Sequence, residues 1–225
     1  MTCSPTDPGP APHRSRGSAA TARIALLGVL LGVVVGGCSY VHTAYSWVGG
    51  ITTGMRVESI SANPVHLASD FDVAVCSTDP YVEGSIWLTD VPVADLVGGS
   101  VEKGQILHLE LLWTPRPGYT PIDFEATNLS VRYILISEGE YGIYEGGGFG
   151  YPLGTPEGSS MILNVEGVTL QLAESTDGFV DLLSPAVLAG TFNGPCDIGL
   201  AELIRDAAAQ LVTDAFGRTM FVRLD

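Results

Sequence analysis

The alternation of apolar and polar residues along the chain predicts a mainly β protein. Between residues 105 and 113, three leucines and Trp113 alternate with His108 and Glu110, the period of two of a strand with one buried face. Similar short stretches recur between glycines, prolines and aspartates, so we expect an antiparallel sandwich or a partly closed barrel. The predicted strands are 55–60, 71–76, 84–89, 105–113, 128–137, 142–145, 161–165, 168–173 and 219–224.

Turns and short helices interrupt this pattern. Glu166 and Gly167 lie between two apolar arms, and glycine readily adopts the positive φ of a tight turn, so residues 164–168 predict a hairpin. Residues 90–99 contain a proline near their start and predict a short helical turn. A second helical turn is predicted at residues 181–190.

One segment has the helical period. Asp197 is suited to an N-cap and Gly217 to the residue after a helix end, which predicts a helix over residues 198–216. About 28 Å long, it would cover one face of the sheet or close one end of a barrel. Its apolar stripe consists of Ala201, Ile204, Ala208, Leu211, Val212 and Ala215.

The first 37 residues have the order of a secretory signal peptide. Three arginines precede an uncharged apolar run at residues 24–35, which is followed by Gly36, Gly37 and Cys38. A helix of this run would be about 18 Å long, shorter than the roughly 30 Å hydrocarbon core of a bilayer. We therefore predict a signal peptide at residues 1–37, a lipidated tether at 38–54 and a single β-rich domain at 55–225.

The end of this run resembles the lipobox of bacterial lipoproteins. Val35, Gly36, Gly37 and Cys38 match its pattern of small residues before a cysteine. The resemblance implies that the Cys38 thiol takes a lipid and becomes the first residue of the mature, membrane-anchored protein. Ser39 follows, where an aspartate retains enteric lipoproteins in the inner membrane, so it implies the outer membrane. The alternatives are an uncleaved anchor helix or an ordinary signal peptide with a chance cysteine.

Charge and composition limit the partners. The chain has 10 Lys and Arg against 25 Asp and Glu, and removal of residues 1–37 would change its net charge from −15 to −17. An acidic domain repels polyphosphates, which argues against nucleic-acid binding. With 28 Gly and 14 Pro in 225 residues, an all-α fold is disfavoured, while 46% hydrophobic residues support a packed core.

Two cysteines remain after Cys3 and Cys38 are assigned to the signal and the lipid. In an oxidising envelope compartment, Cys76 and Cys196 predict one disulfide. The alternative is two separate buried thiols.

The most unusual stretch is the glycine-rich segment 141–154, which contains four aromatic residues. Aromatic rings on a loop can stack on a sugar ring or a peptide, which makes this stretch a possible ligand surface. Alternatively, the glycines permit bulges while the rings cover a sheet edge. The four residues are Tyr141, Tyr144, Phe149 and Tyr151.

No catalytic or metal-binding motif accompanies this stretch. The four histidines are scattered, no cysteine pair has zinc-ligand spacing, and a nucleophile elbow is absent from the sequence. We therefore predict neither metal nor cofactor, and an envelope lipoprotein that acts without catalysis by binding envelope proteins or as a structural partner. A carbohydrate- or peptidoglycan-binding module using residues 141–154 is the main alternative, and an unrecognised hydrolase is another.

Overall fold

A computed structural model describes residues 53–219, except 68, 80–81, 117, 119–126 and 154–158. In this part of the chain, nine antiparallel strands form one sheet that curls into a half-barrel, followed by a C-terminal helix. The predicted mainly β fold, a partly closed barrel with one C-terminal helix, is confirmed. The predicted signal peptide, the tether up to residue 52 and most of the predicted strand 219–224 lie outside the described residues.

The strands follow the order β2-β1-β9-β8-β7-β6-β5-β4-β3 across the sheet. A short helix, α1, connects β4 to β5, and a long helix, α2, follows β9. The strands are β1 (Thr53–Ser59), β2 (His66–Leu67), β3 (Val73–Asp79), β4 (Val82–Thr89), β5 (Lys103–Leu111), β6 (Leu129–Ser137), β7 (Glu140–Leu153), β8 (Ser160–Ser175) and β9 (Ala186–Pro195), and the helices are α1 (Val93–Gly98) and α2 (Ile198–Phe216).

Two apolar cores lie on opposite faces of the sheet. The inner core fills the curl, with Leu107, Leu109 and Leu111 of β5 packed against residues such as Phe192 of β9. The outer core lies between the sheet and α2, where Ile204 joins a cluster that includes residues of β3 to β7. The cluster under α2 contains no described residue of β1 or β9. The side chains of β1 and β9 on the outer face are therefore partly exposed.

The helix forms as its sequence predicts. It spans Ile198–Phe216, the Asp197 side chain accepts a hydrogen bond from the Leu200 amide at 3.0 Å, and Gly217 has a φ of 64°. Five of the six residues of the predicted apolar stripe are buried, and Ala215 is partly buried against the same core.

The disulfide between Cys76 and Cys196 is present and holds two ends of the curled sheet together. The two Cα atoms are 4.3 Å apart, and the Asp197 amide donates to the Cys76 carbonyl at 3.1 Å. Residues 76 and 196 also form a parallel bridge between β3 and the residue that follows β9. The bond therefore joins β3, which is one edge strand of the sheet, to the end of β9, which is the third strand from the opposite edge.

Two local predictions are wrong. Glu166 and Gly167 do not form a hairpin turn: β8 runs through them, with a bulge where Val165 and Val168 are both buried. The positive φ of Gly167, 67°, serves this bulge. Residues 181–190 are not a helical turn, because β9 begins at Ala186 and alternates buried Leu188 with partly exposed neighbours.

Candidate functional site

The four aromatic residues of segment 141–154 lie in different surroundings, because they all belong to β7 and its residues alternate between the two faces. Tyr144 is buried in the inner core and Tyr141 in the outer core. These two rings are therefore closed to a ligand, and only the other two can contribute to an exposed surface. Phe149 is partly buried, and Tyr151 exposes 44% of its surface.

The Tyr144 hydroxyl is hydrogen-bonded to the loop that precedes β9. Its hydroxyl donates to Asp181 Oδ1 at 2.7 Å, and the same oxygen accepts from the amides of Leu183 and Ser184. Burial, followed by the hydrogen bond to the carboxylate, raises the pKa of the Tyr144 phenol. This bond attaches the loop before β9 to the barrel interior.

Trp113 completes a surface with the two remaining rings. Its indole meets Phe149 edge-on at 5.9 Å between centroids and 89° between planes, and Phe149 lies nearly parallel to Tyr151 at 6.2 Å and 24°. We call Trp113, Phe149 and Tyr151 the aromatic surface. Trp113 was predicted as a strand residue only, since it precedes Phe149 by more than thirty positions and no local signal connects the two.

A buried asparagine positions these rings. Asn128 donates from Nδ2 to the carbonyls of Gly150 at 2.7 Å and Trp113 at 3.1 Å, and its Oδ1 accepts from the Gly150 amide at 2.8 Å. Gly150 lies between Phe149 and Tyr151, and the Trp113 indole donates to the Thr127 carbonyl at 3.0 Å. Asn128 has no exposed surface, so its three hydrogen bonds, which connect β7 to the segment after β5, are shielded from solvent.

Polar side chains border the rings on the neighbouring strands. Asn164 is paired with Tyr151 and Glu166 with Phe149 across β7 and β8. Asn164 Nδ2 donates to Glu166 Oε1 at 3.1 Å, and the Thr191 hydroxyl of β9 donates to Asn164 Oδ1 at 3.1 Å. The bulge at Gly167 lets Asn164 and Glu166 remain outside while Val165 and Val168 point inward. The exposed Tyr151 ring therefore has an amide, a carboxylate and a hydroxyl group on the neighbouring strands, each able to form hydrogen bonds with a ligand.

Two further titratable side chains, His108 and Tyr133, have strongly shifted pKa values because they are buried. The His108 ring stacks on Trp87 at 4.0 Å and 14°, and burial, with smaller contributions from Arg132 and Arg205, lowers its pKa to about 3. Burial raises the pKa of the Tyr133 phenol, which is hydrogen-bonded to Gln105 inside the barrel. His108 is therefore neutral at physiological pH, and neither group adjoins the aromatic surface as an acid or base.

The described residues contain no cluster of three His, Cys, Asp or Glu side chains that could hold a metal ion. In the same part of the chain, no helix combines the length and the apolar composition needed to cross a membrane. Cys38 lies outside the described residues.

Comparisons with protein-family models, with curated proteins and with solved structures found no match for this chain.

Proposed function

We propose that this chain is a lipid-anchored protein of the bacterial cell envelope that binds sugar rings, such as those of peptidoglycan, without catalysis. The observation that supports this function is the aromatic surface: Tyr151 is 44% exposed and is held beside Asn164 by strand pairing. Stacking uses the apolar face of a sugar, and the adjacent amide and carboxylate can bond its hydroxyls. The dispersed titratable groups favour binding over chemistry.

The anchor is supported by the lipobox resemblance at Cys38. Fifteen positions separate Cys38 from Thr53, where β1 begins, so the intervening chain reaches at most about 50 Å when extended. The anchor would therefore keep the start of β1 within about 50 Å of the lipid. A net charge of −17 disfavours direct contact with anionic headgroups, which leaves the lipid as the means of attachment.

Substitution of Cys38 by serine tests the anchor. We expect Cys38→Ser to accumulate as the full-length precursor without lipid, because serine lacks the thiol that takes the acyl-bearing group. Metabolic labelling with a fatty acid and detergent partitioning measure this. A Cys38→Ser protein that is processed and partitions like the parent would exclude lipidation at this residue.

Retention on purified peptidoglycan tests the ligand. Tyr151→Ala removes the exposed ring and should weaken retention several-fold, because stacking contributes about 0.5–1.5 kcal/mol beyond burial. Leu153→Ala is the matched control: Leu153 lies on the same face of β7 and is 53% exposed, but it has no ring. If Tyr151→Ala and the parent have the same stability against unfolding and are retained equally, sugar binding at this surface would be contradicted.

A further inference from the structure

A groove of about 410 Å³ lies on the part of the outer sheet face that includes β1 and β9, beside the β1–β2 hairpin. Its lining residues come from β1, from the hairpin and from β9. Arg56 and Glu58 carry its charges, and Ile60, Val187 and Ala189 carry its aliphatic surface. No local sequence pattern marks this groove, because its residues come from segments more than 120 positions apart.

The groove combines aliphatic surface with two opposite charges. Val187 and Ala189 contribute aliphatic surface from β9, and Ile60, 56% exposed, contributes it from the hairpin. Arg56 and Glu58 lie on β1, with Arg56 Nε 3.5 Å from Glu58 Oε2. A ligand with small aliphatic groups, a carboxylate and an amine would match this arrangement, as a short peptide does.

Strand pairing makes the groove continuous with the aromatic surface. Ala189 pairs with Arg56, and Thr191 follows two positions later on the same face of β9. Thr191 pairs with Asn164, which pairs with Tyr151. Thr191 is thus about 7 Å from Ala189 along the strand and about 10 Å from Tyr151 across two strand spacings. A single ligand can therefore contact both places.

We propose that the groove binds the peptide of a glycan that carries a short peptide, while a sugar ring of the same molecule stacks on Tyr151. This inference rests on the proposed sugar binding and adds a second subsite to it. The peptide carboxylate pairs with Arg56 and the peptide amine with Glu58, while small side chains such as methyl groups lie on Val187 and Ala189. A neutral oligosaccharide would leave the groove's aliphatic surface uncovered and would add no charged group to the contacts that Glu58 makes with Arg56 and His66.

The charge contribution is modest because the pair is exposed. Arg56 exposes 68% of its side chain and Glu58 exposes 34%. Exposed ion pairs contribute little, so Arg56→Gln should weaken binding of the peptide-bearing glycan by only about 1.4- to fivefold. Ala189→Leu should also weaken binding of the peptide-bearing glycan, because the larger side chain would fill part of the groove. Both changes are at accessible positions, where loss of the fold is not expected.

Calorimetric titration of the mature, lipidated protein, purified from membranes in detergent, tests the inference with three probes. These are a peptidoglycan disaccharide that carries a tetrapeptide, the same disaccharide alone and the tetrapeptide alone. We expect the disaccharide–tetrapeptide to bind several-fold more tightly than the disaccharide, and Arg56→Gln and Ala189→Leu to reduce that difference while leaving disaccharide binding unchanged. Lys103→Gln, which removes an exposed cation at the start of β5, is the control and should alter none of the affinities.

The outcomes separate this inference from the proposed function. If the disaccharide binds as tightly as the disaccharide–tetrapeptide, or if Arg56→Gln and Ala189→Leu leave both affinities unchanged, the peptide subsite is refuted and sugar binding stands. If neither sugar-bearing probe binds the parent protein, the proposed sugar binding is refuted and the inference with it. If Tyr151→Ala weakens the disaccharide and Arg56→Gln weakens only the peptide-bearing probe, both are supported.

Discussion

Removal of the Cys76–Cys196 disulfide should destabilise the domain more than any single surface substitution. The bond connects β3, at one edge of the sheet, to the end of β9. In the double variant Cys76→Ala/Cys196→Ala, the contacts that remain at this closure include one backbone hydrogen bond, from the Asp197 amide to the Cys76 carbonyl. The variant also loses the buried Cys76 sulfur, since Cys76 has no exposed surface.

The magnitude follows from the length of the closed loop. The two cysteines are 120 positions apart. In the chain-entropy model, releasing a loop of this length stabilises the unfolded ensemble by about 5 kcal/mol at 25 °C. Domains of this kind have free energies of unfolding of about 5–15 kcal/mol, so the loss would be a large part of the total.

Urea unfolding of the full-length protein, followed by circular dichroism, measures the difference. The parent treated with a reductant should unfold at the same lower urea concentration as the double variant, whereas the reductant should leave the double variant unchanged. Thiol labelling of the unfolded, unreduced parent should leave Cys76 and Cys196 unlabelled. A loss below about 1 kcal/mol in the double variant would refute the entropic reasoning, and labelling of Cys76 and Cys196 in the unreduced parent would refute the bond itself.

Two further substitutions test the packing. Tyr144→Ala should lower the free energy of unfolding by about 3–5 kcal/mol, because it empties a site in the inner core, whereas Tyr151→Ala should cost less than about 1 kcal/mol; equal losses in urea unfolding would contradict the burial difference. His108 is neutral when folded, with a pKa of about 3 against about 6.5 when unfolded, so its contribution to stability is complete above pH 6.5 and falls toward pH 3. His108→Phe should therefore lose less stability than the parent between pH 6.5 and 4, by at most about 1.4 kcal/mol per pH unit, and parallel pH profiles would contradict this.

Local patterns were sufficient for β5 and for α2. The alternation in β5 predicted which of its side chains face the inner core, and the 3.6-residue period with Asp197 and Gly217 predicted α2 at its observed bounds. These signals work because the side-chain direction in a strand or helix depends on residues a few positions apart. The disulfide was predictable for a different reason, since only two cysteines remain once Cys3 and Cys38 are assigned to the predicted signal peptide and lipid.

Sequence patterns that are compatible with two different local structures were not sufficient. Gly167 favours positive φ in a hairpin turn and in a bulge equally, and only the pairing of β8 with β7 and β9 selects the bulge. Residues 186–195 contain alanine and glycine, which have low strand propensity, so β9 was missed. Its position between β1 and β8 supplies the hydrogen bonds that make it a strand.

The candidate site depended most on tertiary structure. Four aromatic residues in one glycine-rich segment, the mainly β class and α2 can all be read from the amino-acid sequence. The burial of Tyr144, the exposure of Tyr151, the contact of Trp113 with Phe149 and the pairing of Arg56 with Ala189 arise only in the folded chain. The physical reason is that burial and contact between distant segments depend on strand order, register and the position of α2, and none of these is encoded within a short stretch of chain.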